Sequence, residues 1–219
     1  MAIGRLIRAR FGRYERPVAD AYRRLFIDLD HVVDLVAGAL GGAGTTDGPP
    51  ARVLEVGCGE GALASRLLRR LPRLRYVGVD VADNVGRLFD GDAARARFGQ
   101  VTVEALRAAA PAPFDVVLLC DVLHHVPAPA QPSLLRASGA LVAPGGTFLL
   151  KDWERRRDPI TAAATASDRY LTGDRLVRYC TLAELRAAAE LAAGAGSVRR
   201  EERVRPWRNN VALLATRPA

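Results

Sequence analysis

Val53-Leu54-Glu55-Val56-Gly57-Cys58-Gly59-Glu60-Gly61 decides how the rest of this 219-residue chain is read. Val53, Leu54 and Val56 suit the end of a strand covered on both faces, because β-branched and aliphatic side chains fill a buried sheet. Gly57, Gly59 and Gly61 strip side chains from alternate positions of a tight turn. The backbone can then approach a ligand closely before Ala62 to Leu71 continues as a helix. A glycine-rich turn of this kind ordinarily cradles phosphate. Glu55 puts a carboxylate beside the same pocket, which repels phosphate and attracts a cationic amine.

Working outward, residues 14–40 carry Val18, Tyr22, Leu25, Phe26, Leu29, Val32, Val33 and Val36 at three- and four-residue intervals, which predicts a helix. Residues 41–50 form a linker rich in Gly, Thr and Pro. Beyond it, short strands are expected at Leu54, Tyr76–Asp80, Phe98–Val103, Asp115–Cys120 and Gly146–Lys151. Helical stretches separate most of them, the pattern of a parallel α/β sheet. Gly86 and Gly91 interrupt the helix expected between the second and third strands. Thr181-x-x-Glu184 is a capping box that opens a helix. Ser197–Val204 and Val211–Thr216, joined by a polar turn, read as an antiparallel hairpin. The organisation is thus an N-terminal helical cap and linker over residues 1–50 and a domain over 51–219.

The net charge of +8 invites a nucleic-acid reading. Apart from Lys151 the positive charge is all arginine, scattered rather than massed except at Arg155-Arg156-Arg157 and Arg199-Arg200. A basic stripe interleaved with aromatics is missing, so a solvated surface is the preferred reading. No apolar run reaches the length of a membrane span, and residues 1–13 lack a signal-peptide apolar stretch. Cys58, Cys120 and Cys180 lie far apart without a CxxC pair. Free thiols in a reducing cytoplasm are expected.

From about Arg52 to Trp153 the chain resembles the class I S-adenosylmethionine-dependent methyltransferases, especially those acting on small molecules. Four motifs carry the resemblance in order. They are Glu55-x-Gly57-x-Gly59-x-Gly61, Tyr76-Val77-Gly78-Val79-Asp80, Phe114 to Val126, and Leu141-Val142-Ala143-Pro144-Gly145-Gly146-Thr147. The resemblance implies a Rossmann-like seven-stranded sheet, order 3-2-1-4-5-7-6 with strand 7 antiparallel, flanked by helices. It implies S-adenosyl-L-methionine as cofactor and S-adenosyl-L-homocysteine as product, bound over the carboxyl ends of the strands. Gly57, Cys58, Gly59 and Gly61 would lie along the methionine and ribose. Glu55 would sit near the amino group, Asp80 and the adjoining Val81 at the ribose end, and Cys120 would offer its carbonyl. Many relatives carry Gly-Asp-Ala after the third strand to hold adenine; here Thr102 and Val103 stand there, with Glu104 as the alternative.

Asp121, His124 and His125 are the cluster suited to base work, sharing one face if the segment is helical. His124 or His125 is expected as the base, with Asp121 orienting substrate or cofactor. Carboxylate–imidazole sets also bind divalent metals, but a further clear ligand is missing and no metal is expected. Tyr14, Tyr22, Trp153, Arg169, Tyr170 and Trp207 are candidates to contact substrate, with residues 153–180 as a lid. The expected function is methylation of a small hydroxylated metabolite, O-methylation in bacterial secondary metabolism. A homodimer stays open. So do an RNA- or protein-directed methyltransferase and a related fold that binds the cofactor without methyl transfer.

Overall fold

The computed structural model describes residues 26–171 and 177–219, apart from the side chains of residues 170 and 171. Seven strands form one sheet in the order β3-β2-β1-β4-β5-β7-β6. They are β1 (Ala51–Val56), β2 (Leu74–Asp80), β3 (Ala96–Gln100), β4 (Phe114–Cys120), β5 (Val142–Trp153), β6 (Val198–Val204) and β7 (Asn210–Thr216). The first five run parallel, and β7 pairs antiparallel with both β5 and β6. The expected order and the antiparallel last strand are both present.

The helices are α1 (Leu29–Ala39), α2 (Ala62–Arg70), α3 (Val103–Ala108), α4 (Gln131–Ala140), α5 (Pro159–Ala166) and α6 (Leu182–Ala193). Alternation along the central strands splits the core into two layers. Leu54, Val56, Val117 and Leu119 pack with Leu135 of α4 and Leu185 of α6. Val53, Val116 and Leu118 pack with Val32 and Val36 of α1 and Leu67 of α2. The described part of the expected N-terminal cap is therefore a layer of the sheet domain itself. That expected helix is also not continuous: Asp28 has an extended backbone, accepts from the His31 N–H at 3.1 Å and caps α1. Residues 14–25 lie outside the described residues.

Three further expectations change. β3 ends at Gln100 rather than Val103, because Thr102 leaves the sheet to cap α3, accepting from the Ala105 N–H at 3.2 Å. No α-helix joins β2 to β3; Gly86 adopts φ +69° in a run of turns there, and its bare face meets the Phe98 ring. After β4 the chain makes a single 3-10 turn, Leu123–His125, while Asp121 sits in the left-handed region at φ +55°. Asp121, His124 and His125 therefore do not share a helical face.

Residues between β5 and α6 leave and rejoin the sheet at one place. Glu154 and Cys180 form an isolated parallel bridge, and the Arg155 N–H donates to the Cys180 carbonyl at 2.7 Å. The Arg178 N–H donates to the His124 carbonyl at 3.0 Å, fixing the returning chain against the turn after β4.

Candidate active site

The glycine turn after β1 uses its own donors. The Gly57 and Cys58 N–H groups donate to the Val79 carbonyl at 2.7 and 3.1 Å, and the Gly61 N–H to the Cys58 carbonyl at 3.1 Å. The Gly59 N–H donates to Asp80 Oδ2 at 2.8 Å. These four amides do not converge on an anion, as a phosphate nest requires. Gly57 adopts φ +77°, and a Cβ there would overlap the Val122 side chain, so the turn packs directly against the segment after β4. A Cβ at Gly59 would meet no atom of the described residues within 4 Å, which leaves that side open to a ligand.

Carboxylates line this turn. Glu55 is buried and accepts from the Tyr76 hydroxyl at 2.5 Å. Burial pushes its carboxyl up to about 8; the Tyr76 hydrogen bond opposes the shift, and the charges of Asp80 and Asp121 add to it. Asp80 ends β2, each oxygen accepting one backbone N–H (Gly59, and Ala82 at 2.9 Å), with a lone pair remaining on each. Val81 follows it, 68% exposed. Cys58 buries its thiol, and a Cβ on Gly78 would come within 2.7 Å of that sulfur. Burial raises the thiols of Cys58 and Cys120, so both stay protonated. Thr102 is exposed and its hydroxyl accepts from the Ala105 N–H as a helix cap, while the Val103 side chain is buried in the core and faces away from an opening. Glu104 accepts from the Ser133 hydroxyl at 3.0 Å.

Beside the turn stands the histidine cluster. His124 is 3% exposed, and Asp152 at the end of β5 accepts from its ring Nδ1. Nε2 lies 3.7 Å from Asp168 Oδ2, and the Tyr179 hydroxyl donates to that same oxygen at 2.6 Å. Burial alone would lower the His124 pKa, but the Asp152 charge and hydrogen bond, with Asp121 and Asp168 beyond, hold it above the ordinary imidazole value. His125 is exposed, its ring centroid 4.0 Å from that of His124 and its plane tilted by 46°. Asp121 is bound elsewhere: Lys151 Nζ reaches both its oxygens at 2.6 Å. Among the described residues, His124, His125 and Asp168 form the set whose ligand-capable atoms lie within 4.8 Å of one another.

Among the residues expected to meet substrate, the described ones have different surroundings. Trp153 is buried, stacked on Tyr179 with ring centroids 5.7 Å apart and edged by Phe26. Arg169 is exposed on the π-helical turn Ser167–Leu171. Tyr170 lies on the same turn, its side chain outside the described set. Trp207 is 46% exposed in the β6–β7 turn, at the same end of the sheet as Trp153, which pairs with Asn210. Tyr14 and Tyr22 lie outside the described residues.

Sequence reasoning missed Lys151, Asp152 and Tyr179. A signal existed for the first two. Lys151-Asp152 closes the strand beside β4, and the register Cys120↔Lys151 brings the pair level with Asp121. A charged pair at the end of a buried strand calls for partners across it.

The fold and this cluster define an α/β protein with its site at the carboxyl ends of the parallel strands. A family description, "Methyltransferase domain", matches residues 22–195, and the chain belongs to that family. It is 40% identical over 100 residues to the ubiquinone biosynthesis O-methyltransferase of Albidiferax ferrireducens, covering 43% of this chain and 38% of that protein. It is 34% identical over 127 residues to the same enzyme of Paracidovorax citrulli, covering 56% and 51%. The chain thus spans about half or less of the length of these curated relatives. Two solved structures from Burkholderia thailandensis share the fold. One is an O-methyltransferase family protein (TM-score 0.66, 21% identity, 96% of this chain, 61% of that one). The other is 1,6-didemethyltoxoflavin-N1-methyltransferase with bound 1,6-didemethyltoxoflavin and S-adenosylhomocysteine (TM-score 0.65, 21% identity, 97% and 88%). No described helix is long and apolar enough to cross a membrane.

Proposed function

We propose that this chain is an S-adenosylmethionine-dependent methyltransferase that methylates a hydroxyl group of a small metabolite. One observation carries the reading: a carboxylate-lined glycine turn with its amides already engaged abuts a histidine oriented by a buried aspartate. The first half disfavours a phosphate ligand: its amides are engaged and Asp80 edges it, while Glu55, protonated by burial in the free protein, offers a charge only when a cationic amine beside it draws the proton off. The second half suits removal of a hydroxyl proton.

The residues present fit the cofactor. The open face at Gly59 admits a close backbone approach. Asp80 retains acceptor capacity for ribose hydroxyls, and the exposed apolar Val81 and Val101 follow the ends of adjacent strands, where an adenine face could rest. The Gly57–Gly61 turn and Asp80 would hold the cofactor, which would supply an electrophilic methyl to the acceptor oxygen and would leave as a neutral thioether. His124 takes the hydroxyl proton at Nε2. Asp152 fixes the tautomer by holding Nδ1–H and stabilises the imidazolium that results. Positioning supplies much of the remaining rate.

Surface charge supports a small acceptor over a polyanion. Arg66, Arg87, Arg95, Arg186 and Arg203 are each paired with a carboxylate, which leaves them less free to meet phosphates. Calorimetry with S-adenosylmethionine, followed by mass spectrometry of a panel of phenols and hydroxyquinones, tests the proposal. Binding together with a product heavier by one methylene supports it. No binding of the cofactor refutes it.

A further inference from the structure

The chain carries 32 Lys and Arg residues, and the only lysine among them is Lys151. Among the described cationic residues it is also the one placed deepest: 1% exposed, on a central strand of the sheet. Its ammonium reaches both oxygens of Asp121 at 2.6 Å, and its carbonyl accepts the Asp121 N–H at 2.9 Å. One residue therefore grips both the side chain and the backbone of Asp121, which sits at φ +55°, a conformation unfavourable for a residue with a Cβ. A guanidinium is larger and planar; a compact ammonium suits a closed slot of this kind.

Asp121 lies between the two halves of the site. Its charge is felt by Glu55 on the cofactor side and by His124 and Tyr179 on the acceptor side. Its carboxylate keeps 24% exposure while its lysine partner has almost none, so the pair shows its acidic edge to the open space. Asp121 is thus a charge common to both halves.

Resting on the cofactor reading above, we propose that Lys151 is a specificity-determining positioning residue: by neutralising Asp121 it keeps the site from favouring the sulfonium cofactor over its uncharged thioether product. A lone carboxylate at this point would hold the reactant cation and lose that attraction as the positive charge disappears during transfer. It would stabilise the ground state more than the transition state and slow the reaction. The Lys151–Asp121 pair keeps a directional acceptor in place while opposing its field with a cation 2.6 Å away.

The test compares calorimetric Kd values of S-adenosylmethionine and S-adenosylhomocysteine, which differ at the reacting sulfur by one methyl and one charge. Wild type is expected to bind the two with Kd values within about fivefold, and Lys151→Met to shift their ratio at least about tenfold toward the cation, as an unscreened charge nearby would. Preference of wild type for the cation by more than about tenfold overturns the proposal. So does a Lys151→Met variant that weakens both ligands equally, the mark of a purely structural role. If Lys151→Met does not fold, the wild-type ratio decides alone. Failure of wild type to bind either ligand strikes the cofactor reading instead.

Discussion

Asp152 holds His124 at two points: one carboxylate oxygen accepts from the ring Nδ1 and the other from the His124 backbone N–H at 3.2 Å. Ring orientation and turn geometry are thus set by one side chain. The carboxylate is itself buried and receives the Trp153 N–H at 2.7 Å. A histidine fixed in this way presents one nitrogen to the site in a single direction.

Replacing Asp152 by Asn should lower single-turnover methyl transfer about 10²-fold, within the range a general base contributes. The pH dependence should move as well. His124 must be neutral to accept a proton, and its pKa is raised in the wild type, so rate falls as pH drops through a value above that of ordinary imidazole. Without the Asp152 charge, burial dominates and lowers that pKa, so the acid limb should shift to lower pH. An acid limb that stays in place would refute the assignment.

Gly57 and Gly59 should fail differently when changed to Ala. At Gly57 the new Cβ overlaps Val122 on a backbone of φ +77°, so Gly57→Ala should cost about 1–3 kcal/mol of stability. At Gly59 the Cβ meets nothing, and Gly59→Ala should fold with a penalty of about 1 kcal/mol. Its cofactor Kd should nonetheless weaken about tenfold or more. Thermal melts and calorimetry on both variants check this; the reverse pattern would place the ligand elsewhere.

Glu55 should make stability depend on pH. Its carboxyl is raised from 4.5 to about 8, chiefly by burial, so the native state keeps a proton that the unfolded chain releases in between. That contribution is full below 4.5 and is lost as pH rises through about 8. Glu55→Gln, neutral throughout, should escape the loss, and its melting temperature should gain on wild type across this window. Parallel curves would mean that Glu55 is ionised in the folded protein.

Chelation should leave methyl transfer intact. Asp121 is committed to Lys151, and His124 is engaged by Asp152 on one nitrogen and faced by Asp168 on the other. A cation would have to displace those contacts to use the set formed by His124, His125 and Asp168. Activity measured after exhaustive chelation should match the untreated protein; a large loss restored by added Mn²⁺ or Zn²⁺ would contradict this.

The sheet was legible because its motifs fall at strand ends, where residue type is dictated by the turn. Gly57 needs a positive φ and no Cβ, and Asp80 must accept the Gly59 N–H. Boundaries were less legible where a polar residue had two uses. Thr102 reads equally as strand or as helix cap, and only packing of Val103 into the core decides. The acceptor cluster was read by sequence proximity, which joined Asp121 to the two histidines. Space joins His124 instead to Asp152 and Asp168, and Asp121 to Lys151. Such partners come from strand register and a returning loop, which one-dimensional spacing does not encode.

The bridge between Glu154 and Cys180 gives the intervening segment a closed neck. Whatever happens inside the neck, the chain re-enters the fold at the same point and α6 begins from the same cap, with Thr181 accepting from the Glu184 N–H. Outside Asp168 and Tyr179, which face His124, length and composition in that segment can therefore drift without disturbing strand register or the glycine turn. Under the proposed function, selection could exchange one acceptor for another by rewriting the rest of this insert and leave the glycine-turn half as it is.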